Sequence, residues 1–415
     1  MKSQIVFFFV FSGTLIAALE ICPKAWGAEQ GRIVPVDIEQ LPRTAERSES
    51  LLQFFRDRTK LGVGFDEVFD SNVFLQDNNP QEDYISTLEA QFVFIDPRGS
   101  FLYGLTHEIN AFRYHRKDVN AINHDFLAFL DWDPGGRYQS RSDYKLITHN
   151  GLLLGPAEID ILRRNADFQR TVEHTWKTQF RYALNETNYL VPQVNYLLYD
   201  DQSRSDADTD RRRLVAIVDV DHDLKPEWTL FGGYEFDDVT IPGNKRKDSQ
   251  GHSVRLGTRY ELKEVSKLNA LLKFQHREWE SQQQRNTLSY ILTWNYQLGP
   301  RTETTLAYAD DRIPSFSADR LQFRSSRPSF KALYELTSLT KLNFSAEYEK
   351  QRSSGRDVLT GAAATATKSN RYGISAGLLW QFREKAHATL DYSFSRSKKN
   401  DYTNHTWIFG IETEL

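Results

Sequence analysis

Between Thr287 and Leu298 the chain reads TLSYILTWNYQL, an almost strict alternation of apolar and polar residues. Leu288, Tyr290, Leu292, Trp294, Tyr296 and Leu298 share one parity. Thr287, Ser289, Thr293, Asn295 and Gln297 share the other, with Ile291 the single exception. Side chains of a strand point alternately to opposite faces, so the segment predicts a strand with one apolar and one polar face. Gly299-Pro300-Arg301 then turns the chain, and Thr304, Leu306 and Tyr308 carry the apolar parity onward. The same period-2 rhythm runs from Leu61 to the C-terminus. It predicts eighteen strands, near residues 61–70, 84–95, 100–113, 122–132, 137–147, 170–183, 188–199, 211–223, 228–238, 252–262, 267–279, 286–298, 302–311, 327–336, 341–351, 370–382, 386–397 and 402–415. In 122–132, Phe126, Leu127, Phe129 and Leu130 occupy both parities; loss of one hairpin from the count would leave sixteen strands.

The connections alternate in length. Short ones fall at Asp96–Gly99, Asp133–Gly136, Asn185–Thr187, Lys225–Glu227, Lys263–Ser266, Gly299–Arg301, Thr337–Thr340 and Arg383–Lys385. Between them come longer polar segments such as Asp200–Asp210, Val239–Gly251, Arg312–Ser326 and Arg352–Ser369. Outer-membrane barrels have short periplasmic turns and long external loops. A soluble β-sandwich would fill its apolar parity with Val, Ile and Leu, and its loops would not alternate; here Tyr, Phe and Trp recur. The predicted fold is therefore an all-β transmembrane antiparallel up-and-down β-barrel over residues 59–415. Both termini are expected in the periplasm of a Gram-negative bacterium, which implies contact with outer-membrane lipid and with the barrel-assembly machinery.

Composition agrees with that fold. Aromatics make up 13%, enough for girdles at two interfaces, and a hydrophobic content of 40% is too low for a helical membrane protein. A barrel tolerates it because half of each strand faces water. Lys2, the apolar run Ile5–Leu19 and Ala25-Trp26-Gly27 predict a signal peptide over 1–27. Residues 28–58, polar and interrupted by Pro35 and Pro42, read as a periplasmic N-terminal extension. The only cysteine, Cys22, falls in the leader, so disulfides, thiolate nucleophiles and Cys-ligated metals are excluded from the mature chain. A net charge of −4 shows no basic excess for nucleic acid.

Residues 62–94 read GVGFDEVFDSNVFLQDNNPQEDYISTLEAQFVF. Asp70, Ser71, Asn72, Val73 and Phe74, followed by Asp83 and Ile85, resemble the opening of the beta-barrel porin type 2 family: an aromatic-Asp-x-x-x-Asp-x-Asn strand, a polar loop, then an apolar strand. Members are often encoded with exopolysaccharide machinery. The resemblance thus implies an outer-membrane channel for polysaccharide export, working with a periplasmic export partner. The C-terminal strand also resembles the outer-membrane assembly signal through Trp407, Phe409, Gly410, Ile411 and Leu415, with Leu415 in place of the usual Phe. A porin importing small polar solutes is the alternative.

By parity, Lys177 and Arg181, Arg255 and Arg259, and Lys273 and Arg277 face the lumen on three strands. Asp219 and Asp221, Glu235 and Asp237, Glu347 and Glu349, and Glu412 and Glu414 do so on others. Such strips would set a transverse field that orients a polar solute. The plainer reading is that they pair across a wet wall. Residues 151–169 carry Pro156, Ile159, Leu162 and Arg163 at helical spacing and predict a constriction loop or external cap, with Arg163, Arg164 and Asp167 as candidate contacts. Catalysis is not expected. His252 and Ser253 are adjacent and point to opposite faces, His222 faces away from Asp221 and Asp223, and no pair of His has zinc-binding helical spacing. No cofactor or metal is expected; Asp221 and Asp223 sharing a cation is the weaker alternative to solvated carboxylates.

Overall fold

A computed structural model describes residues 58–72, 81–116, 119–151, 169–201, 210–242, 248–262, 265–280, 284–314, 322–353, 367–397 and 402–414. The predicted leader, nearly all of the 28–58 extension, and Arg163, Arg164 and Asp167 lie outside the described residues.

Eighteen strands form one sheet: β1 (Thr59–Asp70), β2 (Asp83–Arg98), β3 (Phe101–Tyr114), β4 (Val119–Trp132), β5 (Tyr138–Gly151), β6 (Gln169–Ala183), β7 (Asn188–Asp201), β8 (Arg211–Lys225), β9 (Trp228–Thr240), β10 (Ser249–Leu262), β11 (Ser266–Trp279), β12 (Gln284–Gly299), β13 (Thr302–Pro314), β14 (Gln322–Thr337), β15 (Thr340–Ser353), β16 (Thr367–Arg383), β17 (Ala386–Ser397) and β18 (Tyr402–Glu414). Each pairs antiparallel with its sequence neighbours. β18 returns to β1, with Phe65 opposite Ile411 and Asp66 opposite Gly410, so the barrel closes without a free edge. Closure leaves no strand at an open sheet edge, which a chain in hydrocarbon requires. The eighteen-strand count replaces the sixteen-strand alternative.

Connections at one end are as short as 99–100, 226–227, 300–301, 338–339 and 384–385; at the other they reach 71–82, 152–168 and 354–366. Thr59 and Glu414 both lie at the short-turn end. Gly99 closes the β2–β3 turn at φ 59°, and a Cβ there would meet nothing within 4 Å. Glycine is needed for the left-handed backbone rather than for space. The Asn185 side-chain oxygen accepts from the backbone N–H of Thr187 (3.0 Å) and Asn188 (2.9 Å), an Asx turn that fixes the β6–β7 hairpin.

The outer surface is apolar. Val254, Leu256, Leu272, Leu288, Leu292 and Leu306 stand exposed on it, and aromatic pairs mark both of its ends. At the short-turn end, outward pairs include Phe101–Trp132, Tyr138–Tyr182, Trp294–Tyr296 and Trp380–Phe382. Towards the long-loop end stand Phe69–Tyr84, Tyr290–Tyr308 and Tyr348–Tyr372. An encircling apolar band of this size has no place in water; it fits a bilayer. Register also resolves the mixed parity of β4. Phe126 and Leu130 face outward with Tyr144 and Ser142 for neighbours, whereas Leu127 and Phe129 face the lumen. Phe129 lies over Gly104, whose missing side chain leaves room for the ring: a Cβ there would sit 2.5 Å from the ring edge. Phe231 covers Gly257 in the same way, an aromatic side chain filling the notch of a cross-strand glycine.

Candidate functional site: the charged lumen

An eighteen-strand barrel is too wide for its own side chains to fill, so the inward parity lines a passage. Register places every candidate residue of β6 and β8–β15 on that parity. The acids and bases of β8–β11, expected as separate strips, are instead neighbours. Arg259 donates to Asp221 at 2.8 Å, Arg255 lies 3.3 Å from Asp219 and 3.7 Å from Glu235, and Lys273 reaches Glu235 at 3.4 Å. Asp237 takes both Arg213 (2.8 Å) and a close contact from Arg277, which also donates to Ser249 Oγ at 2.9 Å. Consecutive hairpins put β9 against β10, so opposite signs on the two strands meet instead of facing each other across the pore. In this sector the plainer reading describes the wall.

The remaining candidates are less tied. Arg181 stacks 3.6 Å from the Tyr189 ring centroid and is 3.9 Å from Asp223. Lys177 lies opposite Asp143, whose carboxylate is held by Arg141 at 3.0 Å. Glu349 accepts from Ser325 at 2.6 Å, and Glu347 packs beside Gly373, where a Cβ would come within 2.8 Å of it. His252 faces outward against Tyr234 while the Ser253 side chain is buried on the lumen side, so the two do not meet.

Parity counting strand by strand missed a second feature. Six adjacent strands, β17–β18–β1–β2–β3–β4, carry inward Asp391, Glu412, Asp66, Glu89, Glu108 and Asp125, with Lys60 their only inward Lys or Arg. Glu89 and Glu412 close over Gly64, and the Asp66 carboxylate lies over Gly410. Asp66 and Glu89 are almost fully buried. His387 stands 2.9 Å from Glu412, Asn110 donates to Glu108 at 2.7 Å, and Lys145 of β5 reaches Asp125 at 2.9 Å. Nearer the long-loop end the same wall is apolar: Val68, Ile85, Phe112, Tyr114 and Ala121 form a small lumenal core. The interior therefore has one acidic wall with an apolar upper part. The wall opposite, around β10 and β11, is built of paired charges.

No protein-family model and no curated protein matches the chain. Among solved structures it is similar to the FrpB iron transporter from Neisseria meningitidis (F3-3 variant), at 10% identity and TM-score 0.46, over 84% of this chain and 64% of that one. It is likewise similar to the outer membrane protein opdK from Pseudomonas aeruginosa, at 8% identity and TM-score 0.46, over 86% of this chain and 99% of that one. Acinetobacter baumannii OccAB3 matches at 11% identity and TM-score 0.44, over 86% and 99%. The chain thus spans less than two thirds of FrpB. At these identities and scores the likenesses bear on neither solute nor mechanism. The closed barrel, its apolar belt and its charged interior make the chain a porin-like outer-membrane β-barrel.

Proposed function

We propose that the barrel is a porin that lets small polar solutes cross the outer membrane, with its long loops outside and both strand termini in the periplasm. The observation that carries this reading is an eighteen-strand closed wall with charged, hydrogen-bonded side chains on its inner parity. Such a wall supports a column of water, and its acidic sector gives that water a negative potential on one side. Solute selection then rests on charge and size at the wall and not on chemistry. Polysaccharide export rests on the likeness of residues 62–94 alone and ranks second.

Planar-bilayer recording separates the two. A porin gives a steady ohmic current in KCl that long neutral or anionic polysaccharides leave unblocked, and liposomes carrying it swell in small sugars. An export channel gives a small current that polymer blocks. No current above the bare bilayer would overturn the channel reading itself.

A further inference from the structure

The outward face of β13–β17 carries a feature that solute passage does not use. Over these five strands Asp310 is the only acidic residue on the lipid-facing parity, whereas Arg312, Arg324, Lys350, Arg352 and Arg396 share that face. All five cations lie at the long-loop end. Arg312 is directly opposite Arg324, and Arg324 directly opposite Arg352. Like charges in direct cross-strand register destabilise a sheet. Asp310 is ion-paired with only one of them: it is buried and holds Arg324 through both oxygens (2.6 and 2.8 Å) while accepting from Ser326 at 2.8 Å. Arg312, Lys350, Arg352 and Arg396 have no carboxylate within ion-pair distance among the described residues. The same rim on β8–β11 is mixed, with Arg212, Asp238, Gln250 and Glu278. The cationic run is therefore local to one sector.

Directly towards the bilayer centre from these cations, β12–β16 enclose an open apolar groove of about 540 Å³. Leu306, Tyr308, Phe330, Tyr348, Tyr372 and Ile374 line it, and Pro328 and Ala346 leave its floor low. A row of guanidinium and ammonium groups with no carboxylate partner among the described residues, above a greasy trough, is complementary to one kind of molecule: an anionic head on an acyl chain. On the outer-leaflet side that molecule is a phosphorylated glycolipid. We propose that the β13–β17 face binds one such lipid. Arg312, Lys350, Arg352 and Arg396 take its phosphates, Asp310 holds Arg324 in place beside them, and an acyl chain lies in the Leu306–Ile374 groove. This rests on the long loops facing outward.

The test uses the full-length mature barrel in detergent, with native mass spectrometry against bisphosphorylated lipid A, its monophosphoryl form, phosphatidylglycerol and inorganic phosphate. Wild type should hold one bisphosphorylated lipid A, more weakly the monophosphoryl form, and neither of the others comparably. The triple variant K350Q/R352Q/R396Q should lose about a hundredfold in affinity, from three phosphate-facing charges. These side chains face away from the lumen, so conductance should not change. Should the triple variant assemble poorly, R352Q alone should still lose about fivefold. Equal affinity of variant and wild type for lipid A, or phosphatidylglycerol binding as tightly as lipid A, overturns the proposal. A barrel that conducts but retains no lipid A sinks this inference and spares the porin reading. One that retains lipid A and does not conduct does the reverse.

Discussion

Leu292 and Thr293 are neighbours in β12 with opposite fates: Leu292 faces out, 44% exposed, across from Ala270 and Tyr308, and Thr293 faces the lumen, across from Asn269 and Ala307. An arginine at each position tests the membrane reading with nothing changed but parity. Leu292 lies midway along a strand bracketed by Trp294 and Tyr290, so L292R puts a guanidinium near the middle of the apolar band. There the cost is about 2–4 kcal/mol, softened as the side chain snorkels. T293R exchanges one water-facing polar group for another and should stay within about 0.5 kcal/mol. Because about 1.4 kcal/mol is a factor of ten, the two variants should differ by roughly 30- to several-hundred-fold in their folding equilibrium. Urea titration of folding into phosphatidylcholine vesicles measures this, followed by fluorescence of the barrel's tryptophans and by heat-modifiable gel mobility. Equal destabilisation by the two, or a larger loss for T293R, would mean that lipid does not touch alternate side chains, and the barrel assignment would fall.

Three further outcomes are expected. D237N strands Arg277, whose side chain is only 3% exposed, while Arg213 at 30% can turn to water; the loss should be about 3–5 kcal/mol, largely restored in D237N/R277Q, as read from the unfolding temperature in detergent. G410A would set a Cβ 2.0 Å from the Asp66 carboxylate and 2.6 Å from Thr389 Oγ1 at the closing seam. It should cost about 1–3 kcal/mol, and D66A/G410A should recover part of this; an undisturbed melt for G410A would refute the close approach. In a KCl gradient the reversal potential should shift to the cation-selective side, and E108Q/D391N should reduce the shift; anion preference in the wild type would contradict the acidic wall.

The strands were legible because the bilayer imposes a period-2 pattern wherever it touches the chain. Where it does not, the pattern lapses. β14 begins at Gln322 and β10 at Ser249, several residues before the alternation becomes visible, because at the long-loop end both faces can be polar. β4 blurred for a different reason: Phe129 is lumenal because Gly104 on β3 lacks a side chain, a cross-strand fact that no window on β4 contains. The lumen was half legible. Parity placed Asp221, Glu235, Arg255, Arg259, Lys273 and Arg277 on the inner wall, but their partners depend on the registers of β8–β11.

The acidic wall could not emerge from a local reading because the two ends of the sequence build it jointly. Asp391 and Glu412 come from the last two strands, and Asp66, Glu89 and Glu108 from the first three; only closure of β18 on β1 makes them neighbours. That closure brings together groups that repel, inside a wall where Asp66 and Glu89 are almost without solvent. The glycines at 64 and 410 make the approach possible by leaving room for Glu89, Glu412 and Asp66. Lipid-side pairing at the same seam, with Phe65 opposite Ile411 and Phe69 opposite Trp407, needs no such crowding. A barrel selected for stability alone could have set Ser or Thr at these lumenal positions, as β12 does with Thr287 and Ser289. A local departure from the most stable choice, concentrated where the pore wall is assembled, is where solute selection should be sought.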